Sequence, residues 1–440
     1  MKDFFKTLKN IWSVEELKKR IIYTLLLVLV YRIGSYIVIP GIDTEQLMSG
    51  NDSNEGILGL INIFAGGAFG RASIMTLGIM PYISASIVMQ LLGMAVPAVQ
   101  KMQKEGESGR KKINKYTRYL TVLICIFQGP TYLSMYAGEA IYPAFRDSTF
   151  WWIQSVTILT AGTLFVTWLG ERITDRGVGN GVSLIIAIGI LANLPAALLG
   201  EFGAKLSNGG MVLLLVEIVV LFFVIMATVL LVQGTRRIPV HSAKRIVNQR
   251  GGRQGVANGQ RSYIPLKINQ AGVMPIIFAQ ALMFLPAFIS PDFTDVAGFW
   301  YNLIFFVLIV MFTYFYTAIT MNPNQMADEL KRSGAFIPGV KPGKSTASFI
   351  DSLLSRLILP GSIFLGFIAI LPAFAMNSGI QNSFAYFYGG TSLLIMVGVV
   401  LDTLQQVESY LLNSEYDGLM KNGKIKGRSN MAPVSMPQTI

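Results

Sequence analysis

The run MVLLLVEIVVLFFVIMATVLLV, Met211 to Val232, decides the reading of the chain: 22 residues carry one charge, Glu217, and show no polar stripe. At 1.5 Å per residue, a helix of this length crosses the roughly 30 Å hydrocarbon core of a bilayer. Working outward, runs of the same character recur at approximately 21–39, 74–93, 116–136, 151–170, 181–199, 272–289, 299–320, 355–374 and 390–412. Nowhere does the roughly ten-residue alternation of a transmembrane strand appear, so these runs are expected to be helices. The expectation is an all-α polytopic membrane protein with ten transmembrane helices.

Composition points the same way. Hydrophobic residues make up 52% of the 440 and charged residues 14%, against about 25% charged in a soluble domain, which excludes a water-soluble globule. The single cysteine, Cys125, lies inside an apolar run, so neither an internal disulfide nor a thiolate metal cluster is expected. One histidine, His241, removes most zinc, haem and Ser-His-Asp schemes. GVKPGKST (Gly339 to Thr346) is not a phosphate loop, because that motif needs glycine where Pro338 stands. GVGNGV (Gly177 to Val182) is not a dinucleotide fingerprint either; it reads as a flexible entry to the fifth span. No catalytic group, cofactor or metal is expected. Glu217, alone within its span, is a functional candidate by default, but the sequence supplies it with no partner.

The charges sort by loop. Lys and Arg number six in 1–20, seven in 94–118, two in 171–180, eight in 233–271, five in 321–356 and four after 412. The opposite side holds Arg71, Arg146 and Lys205, and Arg32 lies within the first span. By the positive-inside rule, both termini and the large basic loops face the cytoplasm. Much of the net charge of +12 is therefore topological, although eight basic residues in one loop exceed what orientation needs. Residues 1–20 combine a basic face with an apolar face of Phe4, Phe5, Leu8, Ile11 and Trp12, the pattern of an interfacial helix. They are not expected to be a cleaved signal, because the apolar stretch continues through Arg32 to Ile39 without a small-residue cleavage site.

Segment 57–73, ILGLINIFAGGAFGRAS, is apolar yet broken by Gly66, Gly67 and Gly70, and lies on the charge-poor side. It reads as a re-entrant half-helix, or as an amphipathic loop resting on the lipid. In GIMPYISASIVMQLL (Gly78 to Leu92), Ser84, Ala85 and Ser86 permit close helix approach, and Gln90 is a polar group at membrane depth. Ile79 and Ile83 share a face, as do Val182 and Ile186; such pairs by themselves are ordinary packing.

Seven stretches together carry a resemblance: YRIGSYIVIPGID (31–43), FAGGAFGRASIMTLGIMPYISASIVMQLL (64–92), KEGESGRKKINKYTRY (104–119), WLGERITDRGVGNGVSLII (168–186), AGVMPIIFA (271–279), NPNQMADELKRSGAFIPGVKPG (322–343) and FYGGTSLLIMVGVVLD (387–402). In order along the chain they closely resemble the SecY family, the central subunits of the bacterial protein-conducting channel. The tail after about 428 does not share the likeness. The resemblance implies two inverted, pseudo-symmetric five-helix halves around an hourglass pore, at 21–199 and 200–412. They are flanked by the 1–20 helix and a cytoplasmic tail, 413–440.

The family's aliphatic pore ring falls on Ile79, Ile83, Val182, Ile186, Ile277 and Ile395. Val182 is smaller than the isoleucine frequent there. The family's plug falls on 57–73, with Asn62, Phe64, Gly66, Gly67, Phe69, Gly70 and Arg71. Its lateral gate, between spans 2–3 and 7–8, falls on Gln90, Gln128 and Gln280, each of which could equally be an ordinary interhelical contact. Docking of the SecA motor or the ribosome falls on Arg236, Arg237, Lys244, Arg245 and Lys341, the last replacing the arginine usual in the family.

The implied function is passage of unfolded preproteins across the bacterial cytoplasmic (inner) membrane, with sideways release of hydrophobic segments. SecE-like and SecG-like subunits, SecA, the ribosome, signal sequences and nascent chains, and membrane lipid are the implied partners. A secondary transporter is the competing class, but it needs a polar midplane site where this chain offers an aliphatic collar. A membrane-embedded enzyme is a third, disfavoured by the missing catalytic groups.

Overall fold

The computed structural model describes residues 12, 14–50, 56–138, 140–207, 210–242, 261–283 and 295–421. Each of the ten apolar segments coincides with a helix, numbered here α1 (Glu15–Gly34), α2 (Met80–Ala95), α3 (Glu107–Met135), α4 (Thr149–Arg176), α5 (Gly181–Ser207), α6 (Met211–Gln233), α7 (Met274–Leu282), α8 (Phe299–Thr320), α9 (Lys344–Asn377) and α10 (Gly390–Lys421). Six of them are long and apolar enough to cross a membrane on their own, and α2 becomes a seventh when joined to Pro97–Lys104 across a 104° bend. The fold is mostly helical and multi-pass.

Inside these helices the polar groups are satisfied locally. Thr24, Thr121, Thr167, Thr228, Thr313 and Thr317 each return their hydroxyl to the carbonyl four residues back. A hydroxyl can then be buried in apolar surroundings with its hydrogen bond made. Much of the remaining surface is apolar: on α6, Val212, Leu215, Phe222 and Leu230 stand outward, as suits a helix facing hydrocarbon. The helices pack in two groups: α1 to α5 against one another and α6 to α10 against one another, with α5 touching α6 and α10.

Several boundaries differ from the sequence reading, and the first two have a visible reason. The first helix stops at Gly34 instead of near 39 because residues 37–39 pair with the segment before α2: Ile39 N–H donates to Ala72 O at 3.0 Å and Ile74 N–H to Ile37 O at 2.8 Å. For the same reason the second starts at Met80, with turns in place of helix over 65–79. Glu15 to Arg20 belong to α1 rather than to a separate interfacial helix; residues 1–11 of that expected helix lie outside the described residues. Helix α10 continues to Lys421, beyond the expected end of the last span at 412. Span 7 is described as helix through Leu282, and 284–289 of its expected extent lie outside the described residues.

The two largest basic loops are not formless. Strand β1 (Thr235–Ser242) pairs antiparallel with β2 (Arg261–Lys267) and with β3 (Ala335–Phe336), giving the order β2-β1-β3. Alternation in TRRIPVHS places Ile238 and Val240 on one face, where they join Leu266, Ile337, Ile350 and Leu354 in a small core of their own. The helix Pro323–Ser333 beside it is capped by the Asn322 side chain, which accepts from the backbone of Asn324 and Gln325, and ends at the left-handed Gly334.

Candidate pore, plug and gate

Ile79, Ile186 and Ile395 are buried, and Ile83, Val182 and Ile277, partly buried, pack on the same hydrophobic cluster. All six positions, from the N-cap of α2 and from α2, α5, α7 and α10, belong to the large hydrophobic core shared by both helix groups, which also takes in Ile63 and Phe64 of the short helix Gly56–Phe64. Aliphatic groups offer water no hydrogen bonds, so such a cluster excludes water and ions while remaining displaceable.

The segment after Gly56–Phe64 folds back against this cluster. Its contact with α5 is backbone on backbone: a methyl group at Gly66 would stand 3.0 Å from Gly189 Cα, and one at Gly189 would stand 3.0 Å from Phe64 O. Gly66 and Gly67 both adopt positive φ, 65° and 80°, which L side chains reach only with strain. The turn is then pinned by side chains. Gly70 N–H donates to Asn62 Oδ1 at 2.8 Å, the Tyr132 hydroxyl donates to Phe69 O at 2.8 Å, and the Phe69 ring packs against Tyr132 and Tyr136. Arg32 Nη1 and Arg71 Nη2 both donate to Gly66 O, each at 3.1 Å. Of the two readings left open for 57–73, these contacts favour the folded-in, re-entrant one over a loop lying on the lipid.

The three glutamines occupy different surroundings. Gln90 is half-buried and Gln128 is exposed. Gln280 is buried and lines a cavity of about 20 Å³ with Tyr301, Asn302, Thr391 and Ser392, inside the second helix group. Among the described residues, no hydrogen bond joins one of these glutamines to another. Arg236 and Arg237 are exposed on β1, and Lys341 is exposed in the turn after β3. Lys244 and Arg245 lie outside the described residues.

Sequence reasoning missed the partners of Glu217. Lys205 Nζ lies 3.0 Å from Glu217 and 3.3 Å from Glu201, and donates to Gly379 O at 3.1 Å; Gln381 N–H donates to Glu201 at 2.8 Å. Lys205, expected in an outer loop, is instead in the last turn of α5 and buried. The four-residue spacing of Glu201 and Lys205 was the available signal. At the other end of α5, Gly179 N–H donates to Gln406 Oε1 of α10 at 2.9 Å. The first helix group is therefore tied to the second at both ends of α5.

Two helix groups meeting along α5 around a shared apolar interior, with the turn after Gly56–Phe64 folded against α5, make a polytopic helical membrane protein. Comparison with known proteins narrows the class to channels that conduct protein. The SecY family model matches residues 73–404, and the chain belongs to that family. Protein translocase subunit SecY of Escherichia coli strain K12 is 41% identical over 435 residues, covering 94% of this chain and 96% of that one. The subunit of Thermus thermophilus is 40% identical over 445 residues, covering 96% and 100%. Among solved structures, one described as that of a protein conducting channel aligns with a TM-score of 0.63 at 18% identity, covering 89% of this chain and 92% of its own. Sec61 in a canine ribosome-channel complex aligns at 0.57 with the same identity and coverage. The chain is a protein-translocation channel subunit, multi-pass in the bacterial inner membrane.

Proposed function

We propose that this chain is a passive pore whose seal is the ring Ile79, Ile83, Val182, Ile186, Ile277 and Ile395, backed by the plug 57–73. One observation carries the reading: the plug's Gly66 meets Gly189 backbone to backbone, one turn from Ile186, so the re-entrant segment stands directly against the helix that supplies two of the ring residues. A greasy collar of this kind holds back ions yet yields to the side chains of an extended polypeptide.

The halves are 21–199 and 200–412, and they part on the side away from α5, because α5 is bolted to the second group at both ends. Gln90, Gln128 and Gln280 lie on the helices that would form that opening, α2 and α3 against α7 and α8. Sideways release follows from physics: about 20 apolar residues are more stable in lipid than in an aqueous pore.

The sheet β2-β1-β3 is the docking platform for a driving partner, with Arg236, Arg237 and Lys341 exposed on it or beside it, together with Lys244 and Arg245 of the intervening loop. The partner is SecA or the ribosome; one solved relative is a canine Sec61 channel in complex with a ribosome and another is a yeast Ssh1 complex bound to an 80S ribosome. SecE-like and SecG-like subunits complete the assembly, and both termini are cytoplasmic. Reconstitution of the chain with these subunits tests the reading: SecA- and ATP-dependent entry of a precursor into vesicles is expected. Saturable uptake of a small solute without precursor movement would replace it with a carrier.

A further inference from the structure

The charges that the pore does not use converge at the base of the plug. Arg32 and Arg71 reach the same oxygen, Gly66 O, so their guanidinium groups are held close together despite like charge. The Tyr36 ring lies under both, its centroid 4.3 Å from Arg71 Cζ and 5.7 Å from Arg32 Cζ. Among the described residues, neither arginine has a carboxylate in salt-bridge range. Among the described residues, the Arg71 Nε is buried without a hydrogen-bond partner. One carbonyl dipole is a small counterweight to two full charges held this close together, which are ordinarily paired.

The surroundings indicate which anion the arginine pair would take. Leu25, Leu29 and Ile33, four residues apart, form an exposed apolar stripe on α1 that leads to Arg32 and to the exposed Tyr36 and Ile37. An acyl chain lying along that stripe would place its headgroup at the arginine pair. Two guanidinium forks suit the oxygens of a phosphate, and the aromatic ring marks the interface where headgroups sit.

The geometry points to a binding site for the phosphate of an anionic phospholipid, formed by Arg32 and Arg71 over Tyr36. The lipid neutralises the pair that grips Gly66 and so steadies the seated plug. This inference rests on the membrane location of the chain, and its binding readout does not depend on how the pore gates.

The test is lipid binding by the purified full chain in detergent, followed by native mass spectrometry and by the thermal midpoint at rising phosphatidylglycerol. Phosphatidylethanolamine and inorganic phosphate are run in parallel. Each variant is scored on the increment that lipid adds to its own baseline, so weakening of the plug itself does not count. Phosphatidylglycerol is expected to raise the midpoint, with about tenfold weaker binding and one fewer retained lipid in R71Q. K111Q, on the basic helix end at the other side, should keep that lipid. R32K, which keeps the charge and removes the fork, should fall between and serves if R71Q does not fold. An unchanged phosphatidylglycerol increment in R71Q or R32K overturns the site. Equal stabilisation by inorganic phosphate overturns the lipid assignment, and equal stabilisation by phosphatidylethanolamine overturns the requirement for net negative charge.

Discussion

Gly66→Ala should unseat the plug while leaving the rest of the channel in place. At φ 65° an alanine pays the left-handed penalty of about 1–2 kcal/mol. Its methyl group would also stand 3.0 Å from Gly189 Cα and 2.8 Å from Arg32 Nη1. The first neighbour is backbone within a helix and cannot swing aside, so overpacking adds a further 1–3 kcal/mol, roughly. Taking about 3 kcal/mol for the sum, the ratio of seated to displaced plug falls by about 100-fold at 1.4 kcal/mol per decade. The assay is resting ion conductance of the reconstituted channel in a planar bilayer, without precursor. Gly334→Ala is the matched control, because Gly334 has φ 68° with nothing within 4 Å of an added methyl and sits beside the β2-β1-β3 sheet. It pays the same backbone penalty without touching the plug. If Gly66→Ala leaks no more than Gly334→Ala, the contact with Gly189 does not hold the plug and the reasoning fails.

Asparagine at Ile83 or Ile277 would give water a hydrogen-bonding foothold in the apolar cluster, so resting conductance should rise and the demand for a good signal sequence should relax; unchanged conductance counts against the ring. Lys205→Met leaves Glu201 and Glu217 buried without their ammonium and should cost about 3–5 kcal/mol, read as a lower thermal midpoint, with partial recovery when Glu217→Leu is added. Ile350→Ala removes the side chain under β1 and should destabilise the three-stranded sheet by about 2–5 kcal/mol, seen as faster amide exchange in 235–242 while the helices stay protected. Replacing Arg236 and Arg237 together by alanine should weaken ribosome binding and flatten its salt dependence, since both are exposed on β1; an unaltered salt slope would remove them from the contact.

What could be read in the sequence was what repeats along it. Uninterrupted apolar runs announce helices because the bilayer demands internal hydrogen bonding over a fixed length, and each of the ten expected runs meets one. Loop charge needs only counting. The contacts that make a site were harder, because they join residues far apart in the chain. Arg32 is counted within the first span by sequence, but its acceptor, Gly66 O, belongs to a residue 34 positions later. Glu217 looked partnerless because its lysine belongs to the preceding helix and is separated from it by a turn. The sheet was missed for a related reason. TRRIPVHS carries a short alternation inside a basic loop, but β1 is stabilised by Ile350 and Leu354, more than a hundred residues away. Periodicity reports the medium that surrounds a segment, whereas pairing reports the path of the chain. In a membrane protein the medium is the stronger constraint on helices, so the scaffold shows in the sequence before the partners of its charged residues do.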